Sequence, residues 1–171
     1  MFDFRKKELQ SICDAPVLAM DPQELDARHP TAQFNLYWRS LASGQSPSWQ
    51  QFNPMDVPSL LPWVMMFTSE PAAGRNRFHL GLQGASAAYL THGSCQGKYL
   101  DEFVFEECYF TRHQMLADAL DAQAPQYGKL LPQSKNLKHT VDVAVGAFPF
   151  ADAGRVIMIP APIREQDRAY L

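Results

Sequence analysis

Four residues could hold a metal ion. His92, Cys95, Cys108 and His113 form a His-x2-Cys-x12-Cys-x4-His series, and imidazole nitrogens with thiolate sulfurs are the ligands that tetrahedral zinc takes. Helical geometry weighs against a joint site. Cys108 and His113 are five positions apart, about 140° around a helix, so they meet at one ion only if Cys108 lies outside the helix. The simpler reading leaves Cys95 and Cys108 as buried or half-buried thiols and assigns no metal.

Nucleophilic and phosphate-binding signatures are weaker still. Gly84-Ala85-Ser86-Ala87-Ala88 lacks the closing glycine of a G-x-S-x-G elbow, and no serine, histidine and acid are spaced to suggest a triad. Gly81-Leu82-Gln83-Gly84 is too short for a phosphate cradle. His113 is the most informative single residue. In ECYFTRHQMLADALDA the spacing predicts a core-facing row of Tyr109, His113, Leu116, Ala119 and Leu120. An inward histidine is either a satisfied core residue or a polar anchor for a ligand held between this helix and a sheet. His79 has the opposite phase from its apolar neighbours and reads as surface or cap-facing. Tyr99, Phe103, Phe105 and Phe110 could line a cavity or fill a core.

The elements that must position these residues follow from periodicity. Residues 1–30 read as a loosely organised helical extension, with a short helix over residues 3–13 broken by Pro16 and Pro22. The segment TAQFNLYWRSLASG places Phe34, Tyr37, Trp38 and Leu41 at helical spacing, with Thr31 as N-cap and Gly44 as the stop. In NPMDVPSLLPWVMMF, Pro54 and Pro58 suit a helical turn. Pro62 disfavours helix in the residue before it, so a strand is expected from Trp63 to about residue 69. Further strands are expected near 77–83, where Phe78, Leu80 and Leu82 alternate with polar or small residues, and near 127–133, 139–148 and 155–162. KNLKH at 135–139 reads as a hairpin loop. Helices fill the middle, at 85–90, 99–103 and 107–121.

Composition bounds the rest. At 171 residues with 46% apolar content the chain can bury one core. Its net charge of -3 includes no basic stripe, which argues against a nucleic-acid partner. No apolar run reaches the roughly 18 residues that a span needs, so the expectation is a soluble, cytoplasmic protein with no membrane partner. Three scattered cysteines do not form a disulfide framework.

The set LYWRSL, NPMDVPSLLPWV, RFHLGLQGAS, GKYLDEF and the strand end Ala147-Phe148-Pro149-Phe150 resembles a bacterial family of short, stand-alone PAS-like proteins, over residues 34 to 163. Gly84-Ala85 replaces the usual Gly-Thr, and Gly93 and Gly97 lie one residue too close together, which affects the register of residues 84–97. The resemblance implies an α+β fold, a five-stranded antiparallel sheet with short helices on one face, here with an N-terminal helical cap. The domain would occupy residues 31–171. It also implies a non-enzymatic sensory module that binds a small molecule or protein partner, works as a homodimer and signals in trans. Pocket candidates are then His113, Tyr109, Leu116, Tyr99 and Phe103, with haem one candidate cofactor because a neutral imidazole can be its axial ligand. Two other classes stay open. One is a small cone-cavity isomerase or dehydratase using His113 with Asp118 or Glu107. The other is a ligand-free dimerisation domain with a filled core. The interior discriminates among the three.

Overall fold

A computed structural model describes residues 11–131, 141–169 and 171. The fold is α+β. Six strands, β1 (Val17–Ala19), β2 (Met65–Glu70), β3 (Arg77–Gln83), β4 (Gln126–Leu130), β5 (Val143–Pro149) and β6 (Arg155–Pro162), form one antiparallel sheet in the order β1-β4-β5-β6-β2-β3. The helices are α1 (Pro30–Leu41), α2 (Ala85–Leu90), α3 (Leu100–Phe103), α4 (Glu106–Ala122) and α5 (Glu165–Arg168).

Each of the five expected segments contains a strand, two of them at the expected bounds (77–83 and 155–162) and three displaced: β2 starts at Met65 where 63 was expected, β4 stops at Leu130, and β5 starts at Val143 where 139 was expected. The parts of the expected strands and of the KNLKH loop that fall on residues 132–140, and the part of the first helix on residues 3–10, lie outside the described residues. The N-terminal segment does form helical turns, at Ile12–Asp14 and Pro22–Glu24, but the sixth strand between them was not expected. Ala15 precedes Pro16 and is extended, and Val17–Ala19 continues that direction to pair with β4. A Cβ on Gly128 would collide with the Val17 side chain and lie 2.9 Å from the Leu18 carbonyl oxygen, so only glycine lets β1 lie this close.

The sheet is covered on both faces, which explains why every residue of β5 and nearly all of β6 is buried. Alternation puts Ala144, Gly146, Phe148, Ile157, Ile159 and Ala161 on one face, and α1 lies across them. Phe34 packs on Phe148 at 4.9 Å between ring centroids, the Thr31 hydroxyl donates to the Ile159 carbonyl at 2.8 Å, and a Cβ on Gly146 would sit 2.6 Å from the Thr31 methyl. The opposite face, with Val143, Val145, Ala147, Val156 and Met158, receives α4. Pro160 and Pro162 stand in β6 beyond Met158, where the ladder to β2 has ended. On that side a missing N–H costs no bond.

Two local expectations are corrected. The N-cap of α1 is His29, whose Nδ1 accepts the Thr31 N–H, and Pro30 takes the first helical position, where its lost donor is harmless. Pro62 lies inside a 3-10 turn spanning Pro58–Trp63, and β2 begins at Met65. The steric clash ahead of a proline disfavours such a turn without forbidding it. Burial of Leu60 and Trp63 on either side of Pro62 holds it in place.

Candidate functional site

The stripe that α4 buries is Cys108, Arg112, Met115, Leu116 and Ala119; it keeps Leu116 and Ala119 of the expected row but has Cys108, Arg112 and Met115 where Tyr109, His113 and Leu120 were expected. His113 is thereby turned to the rim of the helix-sheet interface, where it is half-buried. Its Nε2 lies 2.8 Å from the Asn76 carbonyl oxygen, and its ring meets Phe78 at 5.1 Å and Tyr109 at 5.5 Å. The expected inward anchor is a clip between α4 and the turn after β2. The catalytic pairings considered for it are not formed: Asp118 accepts from Gln114 at 2.6 Å, and Glu107 is exposed on the first turn of α4.

The space where a ligand was expected, between α4 and the sheet, is filled. Leu116 and Ala119 on the helix, and Met65, Leu80, Val143, Ala147, Val156 and Met158 on the strands, have no accessible surface. A water-sized probe therefore touches none of them, and they border no cavity that could admit even a water. Leu116 is a core residue of this packing, and Phe103 packs against its margin. Phe105 and Phe110 neither fill the core nor line an enclosed cavity, being 57% and 62% exposed.

Tyr99 lies apart from the other candidates. Residues 97–99 run along the outer edge of β3, with Leu80 N–H donating to the Lys98 carbonyl and Gly97 N–H to the Leu80 carbonyl. The Tyr99 hydroxyl donates to Glu70 at 2.6 Å, its ring touches His79 at 5.2 Å, and the Arg77 guanidinium stacks over it at 3.8 Å. Hydrogen bonding to the Glu70 carboxylate holds the phenol proton on and raises its pKa. Arg77 also grips Asp101 through two bonds of 2.7 and 3.0 Å, which lowers the Asp101 carboxyl.

Tyr109 lines an open cleft of about 420 Å³ between the turn after β2 and the junction of α3 with α4. Arg75 stacks over its ring at 5.0 Å, and burial raises the Tyr109 phenol pKa. Val104, Arg77, Asp101 and Glu106 also line it. The residues of the zinc-like series do not gather. His92 occupies an exposed left-handed turn position, Cys95 and Cys108 are buried free thiols, and among the described residues no three His, Cys, Asp or Glu form a metal-binding group.

Sequence reasoning missed Arg112, which is fully buried. Its Nη2 donates to the carbonyl oxygens of Ile12 and Ala15 at 2.7 and 3.3 Å, and burial works against its charge. The Phe105 N–H donates to the Cys13 carbonyl at 3.1 Å beside it, so α4 fastens the chain that leads into β1. Among the described residues no helix is long and apolar enough to cross a membrane. Compared with known proteins, the chain matches no family model, no curated protein and no solved structure.

Proposed function

We propose that this chain is a PAS-like, non-enzymatic regulatory module that acts in trans through contact with a protein partner, a second copy of itself included, and not through a ligand enclosed in its core. The packed interface between α4 and the sheet carries this reading. Leu116 and Ala119 of α4 and the strand residues that face them, Met65, Leu80, Val143, Ala147, Val156 and Met158, have no accessible surface, and opening a haem-sized space there would expose the apolar area whose burial stabilises the fold. Support for the PAS-like part comes from the element order that follows β1 and α1, two strands, short helices and three strands, with β1 added at the sheet edge beside β4.

The test is native mass spectrometry and a visible absorption spectrum of freshly purified protein, wild type, His113→Ala and Arg75→Ala. The expected result is the mass of the chain or its dimer with no stoichiometric small molecule and no Soret band. A Soret band, or a molecule that co-purifies with wild type, is lost in His113→Ala and is retained in Arg75→Ala, would restore the enclosed-ligand reading, since Arg75 is exposed and lines only the outer cleft.

A further inference from the structure

The cleft beside Tyr109 carries charge that the fold does not use. Of the two guanidinium groups at its wall, Arg77 is committed to Asp101 by a bidentate pair. Arg75 makes no ion pair among the described residues and is held over the Tyr109 ring, close enough for its charge to act on Asp101. Glu106, the first residue of α4, also makes no ion pair among the described residues and lines the same cleft. The space, lined also by Val104, Ala72 and Ala73, therefore offers one uncommitted cation and one uncommitted anion beside apolar surface.

We propose that this cleft binds a small zwitterion, a free α-amino acid, with its carboxylate on Arg75 and its ammonium group on Glu106. The Arg75 fork suits a carboxylate, and its stacking on Tyr109 limits the freedom lost on binding. A volume of about 420 Å³ falls at the lower end of the range for small-molecule sites, roughly 300 to 1,000 Å³. Charge balance selects the class. A simple anion would meet the Glu106 and Asp101 carboxylates, and a simple amine would meet Arg75, so each is disfavoured where a zwitterion satisfies both ends. The His113 bond to the Asn76 carbonyl positions the turn that carries Arg75. The site stands beyond the filled core and does not depend on it.

The experiment is a titration of the full-length, ¹⁵N-labelled chain with individual L-amino acids, their N-acetyl derivatives and their amides, followed by amide chemical shifts. At least one free amino acid is expected to give saturable shifts confined to the turn after β2 and the α3–α4 junction. Removing either charge from that ligand, or substituting Arg75→Ala or Glu106→Gln, is expected to weaken binding by about tenfold, as for loss of one charge-assisted hydrogen bond. Arg75→Lys should retain part of it. Both positions are exposed, and unchanged shifts elsewhere establish that the variants fold. The proposal is overturned if no free amino acid gives saturable shifts there, if N-acetylated and free forms bind equally, or if Arg75→Ala binds as wild type does.

Discussion

The Nε2–H of His29 donates to the carbonyl oxygen of Ala161 across 3.1 Å, while Nδ1 of the same ring accepts the Thr31 amide proton. One neutral imidazole thus caps α1 and ties it to β6. Burial pushes the His29 pKa down from 6.5 to about 4, the nearby Arg168 charge adding to this and the hydrogen bond to Ala161 opposing it. The unfolded chain takes up a proton near the ordinary pKa and the folded chain resists it. The His29 contribution is therefore complete above pH 6.5 and is lost as pH falls toward 4, by about 2 kcal/mol between pH 7 and pH 5. His29→Asn keeps a capping side chain without that titration. Urea unfolding of both proteins at the two pH values checks this, and equal pH slopes for wild type and variant would contradict it.

Trp38→Ala tests the cap itself. The indole is 6% exposed and its Nε1–H donates to the Pro149 carbonyl at 2.7 Å. The expected loss is about 3 to 5 kcal/mol, from the cavity and from a buried carbonyl left without its donor. A shift in the denaturation midpoint equivalent to less than about 1 kcal/mol would show that α1 does not rely on this contact.

How much was legible depends on where the local pattern coincides with the tertiary one. The strands at 77–83 and 155–162 were readable because alternation, or a dense apolar run, ends at clear turns. Phe34 and Trp38 were readable as a stripe that needs a surface, and the structure supplies Phe148 and Pro149. Leu41, on the same stripe, is only half-buried. Three residues were too few for β1 to show a period, and its pairing depends on Gly128 far along the chain. The buried face of α4 was assigned correctly at Leu116 and Ala119 but not at Tyr109, His113 and Leu120, because its central member is Arg112, a residue type expected in solvent, and placing His113 in the row made a more apolar pattern. The cleft could not be anticipated, since Arg75 sits in a turn and Glu106 begins a helix 31 positions later.

Arg112 carries the next test. Arg112→Ala removes the donor to the Ile12 and Ala15 carbonyls and leaves a void, with an expected loss of about 3 kcal/mol. Arg112→Met keeps most of the volume and relieves the burial of charge, so it should cost less than the alanine variant. Amide exchange should accelerate most at Val17–Ala19, the strand fastened by this side chain. Equal losses for the two variants would mean that packing around Arg112 contributes nothing.

The last prediction concerns the thiols. Cys13 and Cys108 are 5% and 6% exposed, and burial raises the pKa of both, outweighing the opposing pull of the Arg112 charge. Because only the thiolate attacks a disulfide reagent, and its fraction falls tenfold with each unit of pKa, these groups should be slow on two counts, access and ionisation. Cys95 is also buried, at 6% exposure, with its sulfur 3.8 Å from the Gly93 carbonyl. An aromatic disulfide reagent at neutral pH should therefore titrate almost no thiol in the folded protein and all three in urea. Arg112→Ala adds a directional check. It removes the nearby positive charge but also loosens the segment that contains Cys13. If opening of that segment controls access, Cys13 becomes the fastest-reacting thiol in the variant. If Arg112 acts mainly by favouring the thiolate, Cys13 reacts more slowly than in wild type. Peptide mapping of the labelled protein distinguishes the two, and rapid labelling of Cys13 in the folded wild type would contradict the burial described here.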